Sequence, residues 1–576
     1  MTTRRSRLRI SLAVLAVFAL VAVFVVRLVD IQVVRADELN SESEGKRGQT
    51  LVTYGLRGDI VDRDGTPLAV AVERFDVTAD PEAAVGTLGL TEKVTADLQK
   101  IAEITGADPA VMAAALTADP ASNFAYLVQG ITLDQFDAVW DLGIPWVYFA
   151  PRHERVYPNG QTAGNLVGFI GTDGPQAGLE LTEDACLAGV NGEMTYERGL
   201  DGVRIPGSEV VETAPKDGGT LRLTIDSDLQ YSIQQRMAQG AQQLGATWAT
   251  AAVMRVSDGA LMAVTDWPTV DPNNVDAAPR TALGSLAFST PYEPGSIMKP
   301  ITAAMLMDAG VATPESRTVA PGRLYLSDGT FIKDSWAHDD LNLTLTGALV
   351  HSSNTATSEF SKLLDAESRR QYLLDFGFND FTEVGFNGES EGWVLDLNQW
   401  DERTNYAVQF GQAIQVTTVQ MASAYQTLAN GGVRMPVHLV EGCEWPDGTV
   451  TETPAAEGVR VISEQAADDT VDMLEMVATQ GSSADSLRIP GYRVAVKSGT
   501  ADVAEGGVYV DKNVVSYAGM VPADDPQYVV VISFGLPYLQ LSGVIAPTWR
   551  DVAAQVLTNY RIPPTDEPVR ELPVFW

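Results

Sequence analysis

Apolar and polar positions fall into three regimes along this chain. Residues 10–26 are apolar except at Ser11; Arg4, Arg5, Arg7 and Arg9 precede the run and Arg27 closes it. A run of ~17 residues predicts a membrane-spanning helix at the short end of the usual range. A cleaved signal peptide is the competing expectation. No small-residue cleavage site of the A-x-A type follows, however, and residues 27–42 continue in an amphipathic helical pattern. Arginines before the span are expected to hold the N-terminus in the cytoplasm, with everything after Arg27 outside. From Ser41 to about Gly219 the pattern is irregular. Short alternations (DIVDRDG, FDVTAD, WVYFAPRHERVYP) predict strands, and TEKVTADLQKIAEITG and DPAVMAAALTA predict helices. The turn-rich ETAPKDGGT then leads into LRLTIDSDLQ, a strand followed by a helix start, which puts a boundary near residue 220. From there to about Tyr560 strands and long helices alternate, and the proline-rich residues after it are expected to be extended. The expected organisation is a cytoplasmic end (1–9), a transmembrane helix (10–26), an irregular domain (27–219), a second domain (220–560) and a tail (561–576).

Composition narrows the function. Of 576 residues, 45% are apolar and 20% charged, which is ordinary globular usage. Asp and Glu outnumber Lys and Arg by 75 to 39, a formal charge of −36. A surface that acidic repels phosphate backbones, so no nucleic-acid partner is expected. The two cysteines, Cys186 and Cys443, form no CxxC or zinc spacing, and four histidines leave little room for His-based metal or triad chemistry. Because Cys186 falls in the first domain and Cys443 in the second, they are not expected to pair. The tryptophans read as packing residues, and His338, in KDSWAHDD, reads equally as near a cleft or on the surface.

Three short segments of the second domain carry the candidate chemistry. In YEPGSIMKPIT, Pro294-Gly295 reads as a turn after which Ser296 opens a helix, so Ser296 and Lys299, three apart, share a face. A serine hydroxyl is a poor nucleophile until a base takes its proton, and a lysine whose pKa is lowered by burial or neighbouring cations can be that base. In LVHSSNTATSEF, Ser352 can relay a proton and Asn354 can hold a substrate amide; alone, the segment reads as a helix cap. In YRVAVKSGTADV, alternation predicts a strand carrying Lys497, Ser498, Gly499 and Thr500. Gly499 is expected to admit a close substrate backbone, and the strand edge to pair with an extended peptide. Alone, each segment has an ordinary structural explanation. Together, S-x-x-K, S-x-N and K-S-G in this order, separated by roughly 55 and roughly 145 residues, make the acyl-transferase signature of penicillin-binding proteins and serine β-lactamases.

On these motifs the chain resembles a class B, monofunctional penicillin-binding protein over nearly its whole length. RGDIVDRDGTPLAV, RVYPNGQTAGNLVGFIG and GLELTEDACLAGVNGEMTYERGLDG look like the motifs of that family's non-catalytic pedestal, the dimerisation-type domain. The resemblance implies an α+β chain: a transmembrane helix, a mostly-β pedestal, and a penicillin-binding, β-lactamase-like transpeptidase domain with an antiparallel sheet flanked by helices. It implies that Ser296 is acylated and Lys299 is its base. Ser352 would assist proton transfer to the departing D-Ala, and Asn354 would orient the acyl chain. Lys497, Ser498, Gly499 and Thr500 would bind substrate or β-lactam, with Lys497 and Thr500 on the carboxylate. Backbone N–H groups of Ser296 and Thr500 would form the oxyanion hole. Ser498 stands where threonine is commonest. The implied reaction is D,D-transpeptidation of peptidoglycan stem peptides through an acyl-enzyme, with β-lactams as inhibitors and no metal or organic cofactor. Length, the short pedestal and the juxtamembrane RLVDIQVVRADEL resemble the septal, division type, which works with a SEDS-family glycosyltransferase and other divisome membrane proteins. The elongation type is the alternative. A β-lactam sensor lacks support because there is one span and no HExxH, and a silent divisome scaffold because all three motifs are intact.

Overall fold

The computed structural model describes residues 2–36, 48–197, 208, 210–506, 508–565 and 568–576. The end of the juxtamembrane pattern and residues 198–202 of the last pedestal motif lie outside the described residues. The chain divides into two compact units, Met1–Arg57 with Ala188–Gly218, and Gly58–Leu187 with Gly219–Trp576.

In the first unit the apolar run lies inside one continuous helix, Thr2–Val29, closed by a π-helical turn over Asp30–Val34. At 1.5 Å per residue the helix is about 42 Å long, enough to cross a hydrocarbon core of ~30 Å. Its apolar side chains from Leu8 onward are exposed, as a lipid-facing helix requires. The same unit contains a three-stranded antiparallel sheet with Gly192–Glu197 between Gly48–Thr53 and Val210–Thr213.

The second unit begins with a small α+β piece. Strand Pro67–Ala79 pairs with Ala125–Ile131 and Val147–Val156. Three helices, Glu92–Thr105, Pro109–Ala118 and Leu133–Trp140, close over Val77, Leu98, Ile101, Met112 and Trp146. Thr91 and Asp108 cap the first two helices through their side chains, and Thr132 with Gln135 makes a reciprocal capping box for the third.

The remainder is built on a five-stranded antiparallel sheet: β1 (Trp248–Arg255), β2 (Leu261–Trp267), β3 (Ala495–Glu505), β4 (Val508–Val521) and β5 (Tyr528–Leu536), in the order β2-β1-β5-β4-β3. Every residue of β5 is buried because both faces of the sheet are covered. Val530, Ile532 and Phe534 point to α1 (Ser227–Leu244) and α6 (Ala546–Asn559), packing with Ile233, Met237 and Trp549. The alternate residues Val529 and Val531 point to the other core, which includes α2 (Lys299–Asp308), α4 (Thr418–Ala429) and α5 (Glu464–Gln480). Strand β3, the carrier of the third motif, lies at the edge of the sheet.

The expectation that the cysteines stay apart is overturned: Cys186 and Cys443 form a disulfide. The reason is a second sheet that ignores the sequence boundary. Thr220–Leu223 runs parallel to Ile60–Val61 on one side and antiparallel to Val440–Glu444 on the other, setting Cys443 opposite Leu221. Gly219 fits beneath the bridge, where a Cβ would lie 2.4 Å from the Cys443 sulfur. The pairing joins residues 257 apart, and no local pattern signals such a register.

The pedestal-type motifs are anchored in the same unit. Arg155, its side chain 8% exposed, binds the Glu180 carboxylate at 2.6 Å and donates to Gly58 O at 2.8 Å. Asp62 accepts N–H groups of Asp64 and Thr66 and the Ser227 hydroxyl at the start of α1. Removing one member of a buried ion pair strands the other's charge. Arg155→Ala is therefore expected to cost about 3–5 kcal/mol in stability, read as a lowered urea midpoint at an unchanged slope. An unchanged midpoint would show that the pair contributes nothing.

Candidate active site

The three sequence motifs converge. Gly295–Met298 forms a 3-10 turn that runs directly into α2 at Lys299. Residues i and i+3 of a 3-10 turn nearly eclipse, which aligns Ser296 with Lys299 more closely than an α-helix would. Lys299 Nζ stands 2.9 Å from Ser296 Oγ. The turn is held against edge strand β3 by close backbone approach. Gly295 has φ +57°, and a Cβ there would lie 2.5 Å from Thr500 O; one at Gly499 would lie 2.4 Å from Ser516 Oγ and 2.7 Å from Pro294 O. Gly499, expected from sequence to admit a substrate backbone, is thus also required by the protein's own packing.

The second motif enters from α3 (Asn354–Ser361). Ser353 caps this helix by accepting Ala356 N–H, as the cap expectation has it, with Ser352 and Asn354 on either side of the cap residue. Ser352 adopts the left-handed region, φ +53°, uncommon for a residue with a side chain. In that conformation both its backbone carbonyl and its hydroxyl face the lysines. Lys299 donates to Ser352 O (2.6 Å) and contacts Ser352 Oγ at 3.3 Å, while Lys497 Nζ lies 3.0 Å from the same oxygen. Asn354 Nδ2 donates to Lys333 O at 3.0 Å.

On β3, Lys497 also donates to Ser498 O at 3.0 Å. Its amine is therefore drawn into the Ser352 network rather than standing free on the cleft wall. Thr500 Oγ1 accepts Ser542 N–H at 3.3 Å, which leaves its own O–H available to a ligand.

Burial governs the electrostatics. Lys299 and Lys497 are each 1% exposed. Taking an ammonium out of water disfavours the charged form. Burial pushes the Lys299 amine down to about 7, with the Asp334 carboxylate pulling partly the other way. Burial and the neighbouring Lys299 hold Lys497 well below the usual lysine range. As a neutral amine Lys299 can donate to Ser352 O and Oγ and turn its lone pair to the Ser296 hydroxyl.

Two neighbours escaped the sequence reading. Glu293 accepts Ala413 N–H (2.9 Å) and the Tyr509 hydroxyl (3.3 Å), tying the segment before Ser296 to β4; burial raises its carboxyl to about 7. Asp334 receives N–H groups from the start of α3. Nothing local in YEP or KDSWAHDD marks either residue, because both act on segments distant in sequence. Four residues on, His338 lies within this network rather than at the surface.

Comparison with known proteins adds an independent line. Residues 249–548 match the model of the penicillin binding protein transpeptidase domain, and residues 52–223 that of the penicillin-binding protein dimerisation domain. Penicillin-binding protein PbpB of Mycolicibacterium smegmatis is 32% identical, the alignment covering 96% of this chain and 90% of the relative. Peptidoglycan D,D-transpeptidase FtsI of Escherichia coli K12 is 28% identical over 93% and 89%. Among solved structures, a peptidoglycan synthetase from Bifidobacterium adolescentis superposes with a TM-score of 0.74 at 27% identity, covering 92% of this chain and all of that one. Penicillin binding protein 3 of Mycobacterium tuberculosis complexed with aztreonam gives 0.70 at 27% identity, over 90% and 99%.

Proposed function

This chain belongs to the class B penicillin-binding proteins, and from that premise we propose how its site works and where it acts. The protein is a peptidoglycan D,D-transpeptidase. One observation carries the assignment of roles: two buried lysines converge on Ser352, and one of them, Lys299, sets its Nζ 2.9 Å from Ser296 Oγ.

In the proposed sequence, neutral Lys299 takes the Ser296 proton as Oγ attacks the penultimate D-Ala carbonyl of a stem pentapeptide. Backbone N–H groups of Ser296 and Thr500 stabilise the developing oxyanion. The C–N bond breaks, and the proton reaches the departing D-Ala amine through Ser352, which both lysines contact. The ester left on Ser296 is then attacked by an acceptor amine, whose proton returns along the same path as Ser296 is freed. Asn354 orients the acyl chain, and Lys497, Ser498, Gly499 and Thr500 line the donor side, with Lys497 and Thr500 on the carboxylate. A β-lactam enters the first step and stops at the ester. Residues 27–219 serve as pedestal and 220–560 as the catalytic domain. The apolar helix suits a single-pass membrane anchor; in our reading residues 1–9 are cytoplasmic and the catalytic domain lies outside. The likeness to FtsI supports a septal role alongside a SEDS-family glycosyltransferase and other divisome membrane proteins.

The test is a donor ending in D-Ala-D-Ala, incubated with the purified protein and an amine acceptor and followed by mass spectrometry. One D-Ala released per donor joined to acceptor is expected, abolished by prior penicillin treatment. Release with water alone as acceptor would make the protein a carboxypeptidase, and no release would retire the assignment. Filamentation on depletion is expected of the septal role; rounded cells would point to elongation instead.

A further inference from the structure

Asp334 is remote from the three motifs in sequence and central to them in space. Its side chain is fully buried. One carboxylate oxygen accepts the N–H groups of Asn354 (2.5 Å) and Thr355 (3.0 Å), the first two residues of α3. The other faces His338 Nε2 at 2.9 Å, and His338 Nδ1 lies 2.6 Å from Asp339 O. Both ring nitrogens therefore lie at hydrogen-bond distance from an oxygen. The preceding residue contributes as well, since Lys333 O holds the Asn354 amide. With Ser353 serving Ala356 N–H and Ala348 O receiving Ser353 N–H, all four backbone donors at the start of α3 are satisfied.

A helix cap alone does not require this arrangement. An exposed Asp caps a helix without burying a charge, as Asp365 and Asp401 do in this chain. Burying a carboxylate is costly unless it is paired and hydrogen-bonded, as here by a histidine on its own loop. What the arrangement secures is the segment immediately before the helix: Ser352 in its left-handed conformation, with its oxygen between two amines. We propose that Asp334, held by His338, is the positioning residue of this active site, fixing Ser352 and Asn354 relative to Ser296 and Lys299 and setting the negative charge that Lys299 experiences. The proposal rests on the catalytic roles argued above and deepens them.

The charge leaves a signature that a merely structural role would not. The titratable groups around Lys299 are Asp334, which raises its proton affinity, and the buried Lys497 amine, which shares its Ser352 contact. His338 and His351 adjoin Asp334 on its other sides. Lys299 acts as a base only when neutral, so acylation climbs as pH rises through its pKa. Removing the Asp334 charge lets that pKa fall, and the acid limb moves to lower pH.

The experiment uses the full-length protein and benzylpenicillin, resolving the non-covalent Kd from the acylation rate constant k2 in Asp334→Asn, Asp334→Ala, His338→Gln and His338→Ala. Asp334→Asn keeps one oxygen for the two N–H groups but loses the charge. Its k2 is expected to fall about tenfold with Kd within about twofold, and its acid limb to shift down. Asp334→Ala is expected to lose about 100-fold, the scale of a misplacement near 1 Å. His338→Gln, which retains a donor toward Asp334, is expected to recover most of what His338→Ala loses. A folded Asp334→Asn protein with parental k2 and an unmoved limb overturns the proposal. So does a loss of k2 that tracks melting temperature in every variant while the limb stays put, since that describes a cap alone. If Asp334→Asn does not fold, His338→Ala decides: k2 lowered in folded protein supports the proposal and k2 unchanged overturns it. Failure of the parent to acylate would count against the acyl-transfer assignment instead, so the two failures are distinguishable.

Discussion

Ser296→Ala is expected to abolish the covalent penicillin adduct while leaving the protein folded. The Ser296 hydroxyl contacts Lys299, whose amine retains both contacts to Ser352 after the substitution, so little packing is lost. The chemical loss is far larger. Where nucleophile, base and relay act as a unit, deleting the nucleophile removes about 10⁶-fold in rate, and what remains is binding and oxyanion stabilisation. Intact mass after incubation with benzylpenicillin reads the outcome: one adduct per molecule in the parent and none in the variant. Reversible binding is expected to persist as a ligand-dependent rise in melting temperature. A stoichiometric adduct on the alanine variant would mean that another residue is acylated, and the assignment of Ser296 would fall.

The second large effect concerns the base. With Lys299 near 7, the acylation rate of the parent is expected to rise about tenfold per pH unit below that value and to flatten above it. The sign follows from the direction of the shift. Burial lowers this amine, so the protonated and inactive form dominates below about 7 and the neutral form above. Lys299→Gln is expected to lose about 10²–10⁴-fold and the acid limb with it. A parent rate that climbs steadily to pH 10 would place the amine at its ordinary value and remove burial as the activating device. Lys497 shares the Ser352 contact, so the measured limb belongs to the coupled pair of lysines.

What was legible in sequence is what acts over short range. Ser296 and Lys299 are three residues apart, and any helical turn aligns them; only the turn's 3-10 character was missed. Alternation in RVAVKSG marked the strand that begins at Ala495. The segment holding Ser352 and Asn354 reads as a helix cap, and the structure puts the cap on Ser353 between them. The rest depends on register between distant segments. Asp334 reaches α3 across 20 residues, and the carboxylate that orders Asn354 leaves no trace in S-x-N itself. Lys497 reads from sequence as a cleft-wall residue, and nothing local shows that its amine also turns toward Ser352. The cysteines fall in separate domains on the sequence because the turn-rich ETAPKDGGT puts a boundary near residue 220. The strand at that point, however, takes one neighbour from each side of the boundary.

That strand imposes an order of events on synthesis. A ribosome delivers Ile60–Val61 first, Thr220–Leu223 later and Val440–Glu444 later still, yet the middle strand needs both neighbours to satisfy its backbone. Throughout the interval one edge stays open and Cys186 is an unpaired thiol awaiting a partner 257 residues behind it. The nascent chain therefore cannot complete its first half as an independent unit and then append the second. The early segment stays provisional until residue 443 has emerged, and a quality-control factor surveying the growing chain would meet its exposed edge and free thiol before it met a finished active site.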